Sequence, residues 1–121
     1  MELVSFITVE SGTDLILSFA VQTAEDPAEI ESLILMRTPK YEYILEEFER
    51  RVSVHFERHG NDEEDYLEAV EFLASDQIVR LKSMLHEYEL DVRKVGVKDL
   101  QKMCHILRQM NFDRKFQASG V

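Results

Sequence analysis

Residues 66–92 read YLEAVEFLASDQIVRLKSMLHEYELDV, and the fold turns on whether this stretch is helix or strand. As a helix, Leu67, Val70, Ala74, Ile78, Leu81, Leu85 and Tyr88 recur every three or four residues and form an apolar stripe. Asp62, Glu63, Glu64 and Asp65 would then sit favourably at the N-terminal end of the helix dipole. As strands, the same residues fold into two successive hairpins. About 74–77, Phe72 faces Val79 and Val70 faces Leu81, while Glu71 meets Arg80. About 83–86, Leu81 faces Tyr88 and Val79 faces Leu90, while Arg80 meets Glu89 and Lys82 meets Glu87. One register therefore places apolar residues on one face of three strands and opposite charges on the other. A helix supplies no reason for that charge matching. Against the strands, Ser-Met-Leu-His lacks the Gly, Asn or Asp of a tight hairpin turn. Glu, Ala, Leu and Lys also favour helix. Pairing overrides such propensities, so the meander is the reading adopted, with a helical 62–88 as its alternative.

Upstream, the same pairing rule folds 3–9 against 15–21 about Gly12. Val9 then faces Leu15, Ile7 faces Leu17 and Leu3 faces Val21. The other face holds Val4, Phe6, Ile16 and Ala20, so this hairpin is expected to be covered on both sides. Folding 33–37 against 42–46 about Pro39-Lys40 sets Arg37 against Glu42 and Leu35 against Ile44. Folding 40–45 against 52–57 sets Tyr41 against Phe56, Tyr43 against Val54 and Glu42 against His55. Downstream, Val97, Leu100, Met103, Cys104, Leu107 and Met110 make one helical stripe, with Lys98, Gln101, Lys102, His105, Arg108 and Gln109 mostly opposite. Gly96 breaks the chain before this helix and Asn111 can end it. Phe112 and Phe116 are spaced to fold back on the body, and the final Ala-Ser-Gly-Val is expected to fray. The expected fold is therefore α+β. It is an antiparallel sheet of about 6–8 strands built from successive hairpins, with one C-terminal amphipathic helix at about 97–110.

The bulk composition bounds the rest. The chain has 121 residues, 45% of them hydrophobic, which suits a single domain, 1–121, with a real core. Cys104 is its one cysteine, so an intrachain disulfide and a multi-thiolate zinc site are excluded. The start, MELVSFITVE, lacks the basic and long apolar stretches of a secretory signal. No apolar run is long enough to span a bilayer. A cytoplasmic protein is expected. The net charge of −10 is unevenly spread: residues 1–76 carry 19 acids against 5 bases, and residues 77–121 carry 5 acids against 9 bases. So acidic a body disfavours general binding to nucleic acid or to anionic membranes.

No constellation of catalytic residues stands out. Asp62–Asp65 lacks the alternating spacing of a calcium loop and reads as a solvated acidic loop. His55 and His59 have a three-residue gap that suits a metal on a helix, but His55 lies in a strand pattern and His59 precedes Gly60. Cys104 and His105 are adjacent, and neighbours on a helix point roughly 100° apart, so they form no dyad. Ser11-Gly12-Thr13 and Val95-Gly96-Val97 carry too few glycines to cradle a phosphate. Arg93, Lys94, Lys98, Lys102, Arg108, Arg114 and Lys115 form the one positive cluster, without interleaved aromatics for base stacking. These readings leave no catalytic, cofactor-binding or metal residue to name. They point to a non-catalytic interaction protein, its partner a protein with a basic surface or a second copy of the chain. Two alternatives belong to other classes. One is a nucleic-acid accessory factor using the basic C-terminal helix. The other is an enzyme with a dispersed site, for which a deep pocket lined by His55, Glu42 and acids of 62–65 would be needed.

Overall fold

The structure, a computed structural model, describes residues 1–121. Its elements are β1 (Glu2–Ser11), β2 (Leu15–Gln22), β3 (Ile30–Arg37), β4 (Ser53–Phe56), β5 (Leu67–Leu73), β6 (Ile78–Ser83), β7 (Glu87–Asp91), α1 (Val97–Met110) and β8 (Gln117–Ser119). They form an α+β fold with one eight-stranded sheet in the order β4-β3-β2-β1-β7-β6-β5-β8. The sheet is mixed, which corrects the expectation of successive hairpins alone. β1 runs parallel to β7 through Glu2–Leu90 and Leu3–Asp91, and β8 runs parallel to β5. The first parallel junction joins the β1–β4 half to the β5–β7 meander. The sheet also curls toward itself. Ser53 bridges Tyr66, Val54 N donates to Asp65 O at 2.9 Å, and Leu67 N donates to Val52 O at 2.9 Å. β4 thereby meets the start of β5, and only β8 stands outside the ring.

Residues 66–92 are strands, so the helical alternative for 62–88 is overturned. Glu71 pairs with Arg80, Val79 with Leu90, Arg80 with Glu89, and Lys82 with Glu87. The charge matching on the outer face is real: Arg80 lies 3.3 Å from Glu71 and 3.0 Å from Glu89. Val70, Val79, Leu81 and Leu90 are buried beneath it. The turn at 83–86, poor in itself, is held from outside. Ser83 Oγ donates to Asp65 Oδ2 at 2.6 Å and Leu85 N donates to Asp65 Oδ1 at 3.1 Å. The first turn puts Gln77 at φ 54.

The first hairpin forms with its register moved by two. Val9 faces Leu17 and Ser11 faces Leu15, because only Gly12, Thr13 and Asp14 make the loop. A shift of two keeps every side chain on its face. A bulge between Val4 and Phe6 then brings Val4, not Leu3, fully into the core. No second layer covers the other face, where Phe6 is exposed.

The two hairpins expected between 33 and 57 do not form. β3 pairs with β2 on one side and directly with β4 on the other, Leu33 opposite Phe56 and Leu35 opposite Val54. Residues Pro39–Ile44 are a 3-10 helix instead of a strand. Pro39 lacks an N–H and has a fixed φ, which suits the first turn of a helix and not a ladder. Arg37 does reach Glu42, as a buried ion pair at 2.6 Å and not across strands.

α1 begins and ends where the stripe does, and packs chiefly on β1 and β2. Leu100, Met103, Ile106, Leu107 and Met110 are buried, while Val97 is exposed and Cys104 half-buried. The buried arc is thus turned toward Ile106. Sheet and helix share one cluster of 25 buried residues. Phe116 folds back into it and Phe112 does not. The tail does not fray: Ala69 pairs with Gln117 and Glu71 with Ser119.

Candidate functional site

Two features adjoin where β4 approaches β5. The first is built on Gly60, which ends the 3-10 turn Glu57–His59 at φ 78, a conformation that suits glycine. The chain reverses there and enters the acidic loop 61–65, which brings Glu63 back beside His59, Oε2 lying 3.7 Å from Nδ1. Asp65, at the end of the loop, is buried and carries no cationic partner. Its carboxylate is satisfied by Ser83 Oγ, Leu85 N and Tyr66 N. Those bonds draw the β6–β7 turn against the loop and set His86 over Glu63, Nε2 at 2.9 and 3.1 Å from the two carboxylate oxygens. The His59 and His86 rings stack at 4.0 Å with planes 26° apart. Phe56 meets His59 edge-on, and the Tyr88 hydroxyl lies 3.4 Å from His59 Nδ1. Burial, with Asp65 and Glu63 nearby, pushes the Tyr88 phenol up to about 12.

The second feature is the excursion 38–51 between β3 and β4. Arg37 anchors it from the core, its guanidinium bonding Glu42, both oxygens of Asp113 at 2.7 Å, and the carbonyls of Met110 and Arg50. Burial opposes that charge, but the hydrogen bonds to Asp113 and Glu42 outweigh it and hold Arg37 above its ordinary value. With Glu42 turned inward, the residues around it turn outward: Tyr43 is 75% exposed, Ile44 70% and Phe48 53%. Met36, Tyr41, Ile44, Leu45 and Tyr66 line a shallow depression of about 240 Å³ there. Phe48 meets Tyr66 edge-on at 5.3 Å, and Arg51 stacks over both rings. The Tyr66 hydroxyl donates to Glu64 at 2.7 Å, and burial followed by that bond pushes the phenol up to about 12. Tyr66 thus joins the apolar patch to the acidic loop.

No family model, curated protein or solved structure matches the chain.

His55 sits opposite Ile34 on β4, far from any pairing with Glu42, which lies under Arg37. His55 does share a depression with 61–65, while Glu42 lines a different one. His59 meets His86 and Glu63 instead of His55. Cys104 and His105 remain neighbours on α1; burial raises the Cys104 thiol, partly offset by Arg108. Gly12 lies in a hairpin loop, and Gly96 is the N-cap of α1. Among the C-terminal cations, Arg93 pairs with Asp91 and Lys115 with Glu47, while Lys98, Lys102 and Arg108 are exposed along α1. Asp65, expected with Asp62–Glu64 in a solvated acidic loop, is buried instead, and His86, expected only as a turn residue, had no role assigned from the sequence. The signal was present only jointly: a turn too poor to stand alone, and an acidic loop one strand away.

Proposed function

We propose that this chain is a non-catalytic protein-interaction module of the cytoplasm, docking a partner that presents an apolar projection flanked by lysine or arginine. The observation that carries this reading is the exposed run Tyr43, Ile44 and Phe48, held out by an excursion that Arg37 fixes to the core. Large apolar side chains pinned in solvent are the usual mark of a binding surface. The occupant follows from charge. Asp62 and Glu64 border the patch through Tyr66, and the first 76 residues hold most of the acids. Basic flanks on a partner would be steered to this side. The lone Cys104 accords with a reducing compartment.

A peptide array tests the reading, with apolar cores flanked by lysine or arginine set against the same cores flanked by glutamate. The basic-flanked peptides should bind, more weakly as salt rises, and Ile44→Asp should abolish binding without lowering thermal stability. Equal binding of both sets, or binding that survives Ile44→Asp, overturns it. A native dimer in light scattering that Ile44→Asp dissociates would make the occupant a second copy and also overturn it.

A further inference from the structure

We infer that His59, Glu63 and His86 form a binding site for one divalent transition metal of the zinc type. Their ligand atoms all lie within 4.8 Å of one another. They come from three separate places: the turn after β4, the acidic loop, and the β6–β7 turn. A zinc ion with bonds of about 2.0–2.1 Å in tetrahedral geometry sets its ligand atoms roughly 3.3–3.4 Å apart. The observed separations straddle that value, at 2.9 Å for His86–Glu63 and 3.7 Å for His59–Glu63.

The donor set selects the ion. Two imidazole nitrogens and one carboxylate suit zinc, cobalt or nickel, whereas calcium and magnesium need oxygen ligands. Glu63 supplies charge at the centre, and buried Asp65 adds negative charge behind it, without an arginine or lysine to cancel it. The three side chains are about a quarter to a third exposed, so an ion can enter and a water can complete the coordination. Binding requires a ring to turn, because each lone pair lies in its ring plane and two stacked planes do not converge on one point. Both rings are partly exposed, at 26% and 28% of their side-chain surface, so neither is enclosed by the core. Tyr88 Oη lies 3.4 Å from His59 Nδ1, a contact that must give way when that nitrogen takes the ion. The ion would staple the acidic loop to the β6–β7 turn, the same two segments that Asp65 joins through Ser83 Oγ and Leu85 N.

The test titrates the chelator-stripped full chain with zinc alone, and separately with magnesium and calcium. One equivalent of zinc should bind, with loss of stacking read as shifts in the His59 and His86 ring resonances. Removing even an outer partner of a metal ligand weakens binding about 10–100-fold, so His59→Ala and His86→Ala should each cost at least that much. Glu63→Gln, at an exposed position, keeps the fold and should weaken zinc by about tenfold or more. His55→Ala and His105→Ala should leave it unchanged. Zinc should also raise the melting temperature of the wild type and not of Glu63→Gln, since it binds only the native arrangement. Equal affinity in wild type and Glu63→Gln, ring shifts confined to His55 or His105, or magnesium binding as tightly as zinc would each overturn the assignment.

Discussion

Arg37 is the residue on which most of the irregular structure depends. It closes β3, and its side chain is almost wholly inaccessible. A guanidinium so placed is tolerable only because its donors are matched by two carboxylates and two carbonyls. Arg37→Ala strands Glu42, which is itself buried, and should cost about 3–5 kcal/mol in a denaturant titration. Arg37→Met with Glu42→Leu should recover part of that loss, because an apolar pair leaves no buried charge. The same network sets a pH dependence. The hydrogen bond from Arg37 holds the Asp113 carboxyl below its ordinary 3.8, against the effect of burial. A carboxylate depressed on folding contributes stability that is complete above its unfolded value and is lost as pH falls through the folded one. Stability should therefore decline below pH 3.8, and decline less steeply in Asp113→Asn. Asp91, held low by Arg93, titrates in the same direction, so the slope is reduced and not abolished. Identical acid slopes in wild type and Asp113→Asn would exclude this role.

At the level of elements, α1 contributes four fully buried side chains to the core, Met103, Ile106, Leu107 and Met110. Leu107→Ala should cost about 2–5 kcal/mol, measurable by the shift in denaturation midpoint; a loss below about 1 kcal/mol would mean the helix is loosely seated. The strand β8 rests on different physics. Its residues Gln117, Ala118 and Ser119 are all exposed, so backbone pairing with β5 holds it, aided by Phe116 and Val121 packing at its two ends. Gly120 makes the approach possible: it takes φ +77, and a Cβ there would stand 2.2 Å from the Phe72 carbonyl oxygen. Gly120→Ala should strip hydrogen-exchange protection from the β5–β8 ladder while leaving α1 protected. These contrasts explain what the sequence could disclose. The meander was legible because Glu71, Arg80 and Glu89 match in one register only, and α1 because its stripe has helical period. β8 was not, since small polar residues carry no periodic signal. Tyr41, Tyr43 and Leu45 alternate as a strand would, but Pro39 at the start and the burial of Glu42 under Arg37 turn Pro39–Ile44 into a 3-10 helix. His59 and His86 were placed correctly in their turns, yet their meeting depends on which of four consecutive acids folds inward.

For the whole molecule, that acid is Asp65, and the closure of the sheet runs through it. Its carbonyl accepts from Val54 N, linking the loop to β4; its carboxylate accepts from Ser83 Oγ and Leu85 N, linking the loop to the β6–β7 turn. Its neighbours differ from it. Asp62 is exposed, and Glu63 and Glu64 bond His86 and Tyr66. Hydrogen bonds to a charged group are worth about 1.5–3 kcal/mol each, and removing the carboxylate also removes the cost of burying it. Asp65→Ala should therefore destabilise the protein by about 1–3 kcal/mol net, against a change within about 0.5 kcal/mol for Asp62→Ala. The distribution of the effect matters more than its size. If the loop, the turn and the β4–β5 junction close as one unit, Asp65→Ala should expose the amides of Leu85, Val54 and Leu67 to exchange together, although only the first bonds the missing side chain. It should also part His86 from Glu63, because the turn that carries His86 leans on that carboxylate. Loss of protection at Leu85 alone, with Val54 and Leu67 unchanged, would show that the backbone bonds close the sheet by themselves and that Asp65 merely dresses the turn.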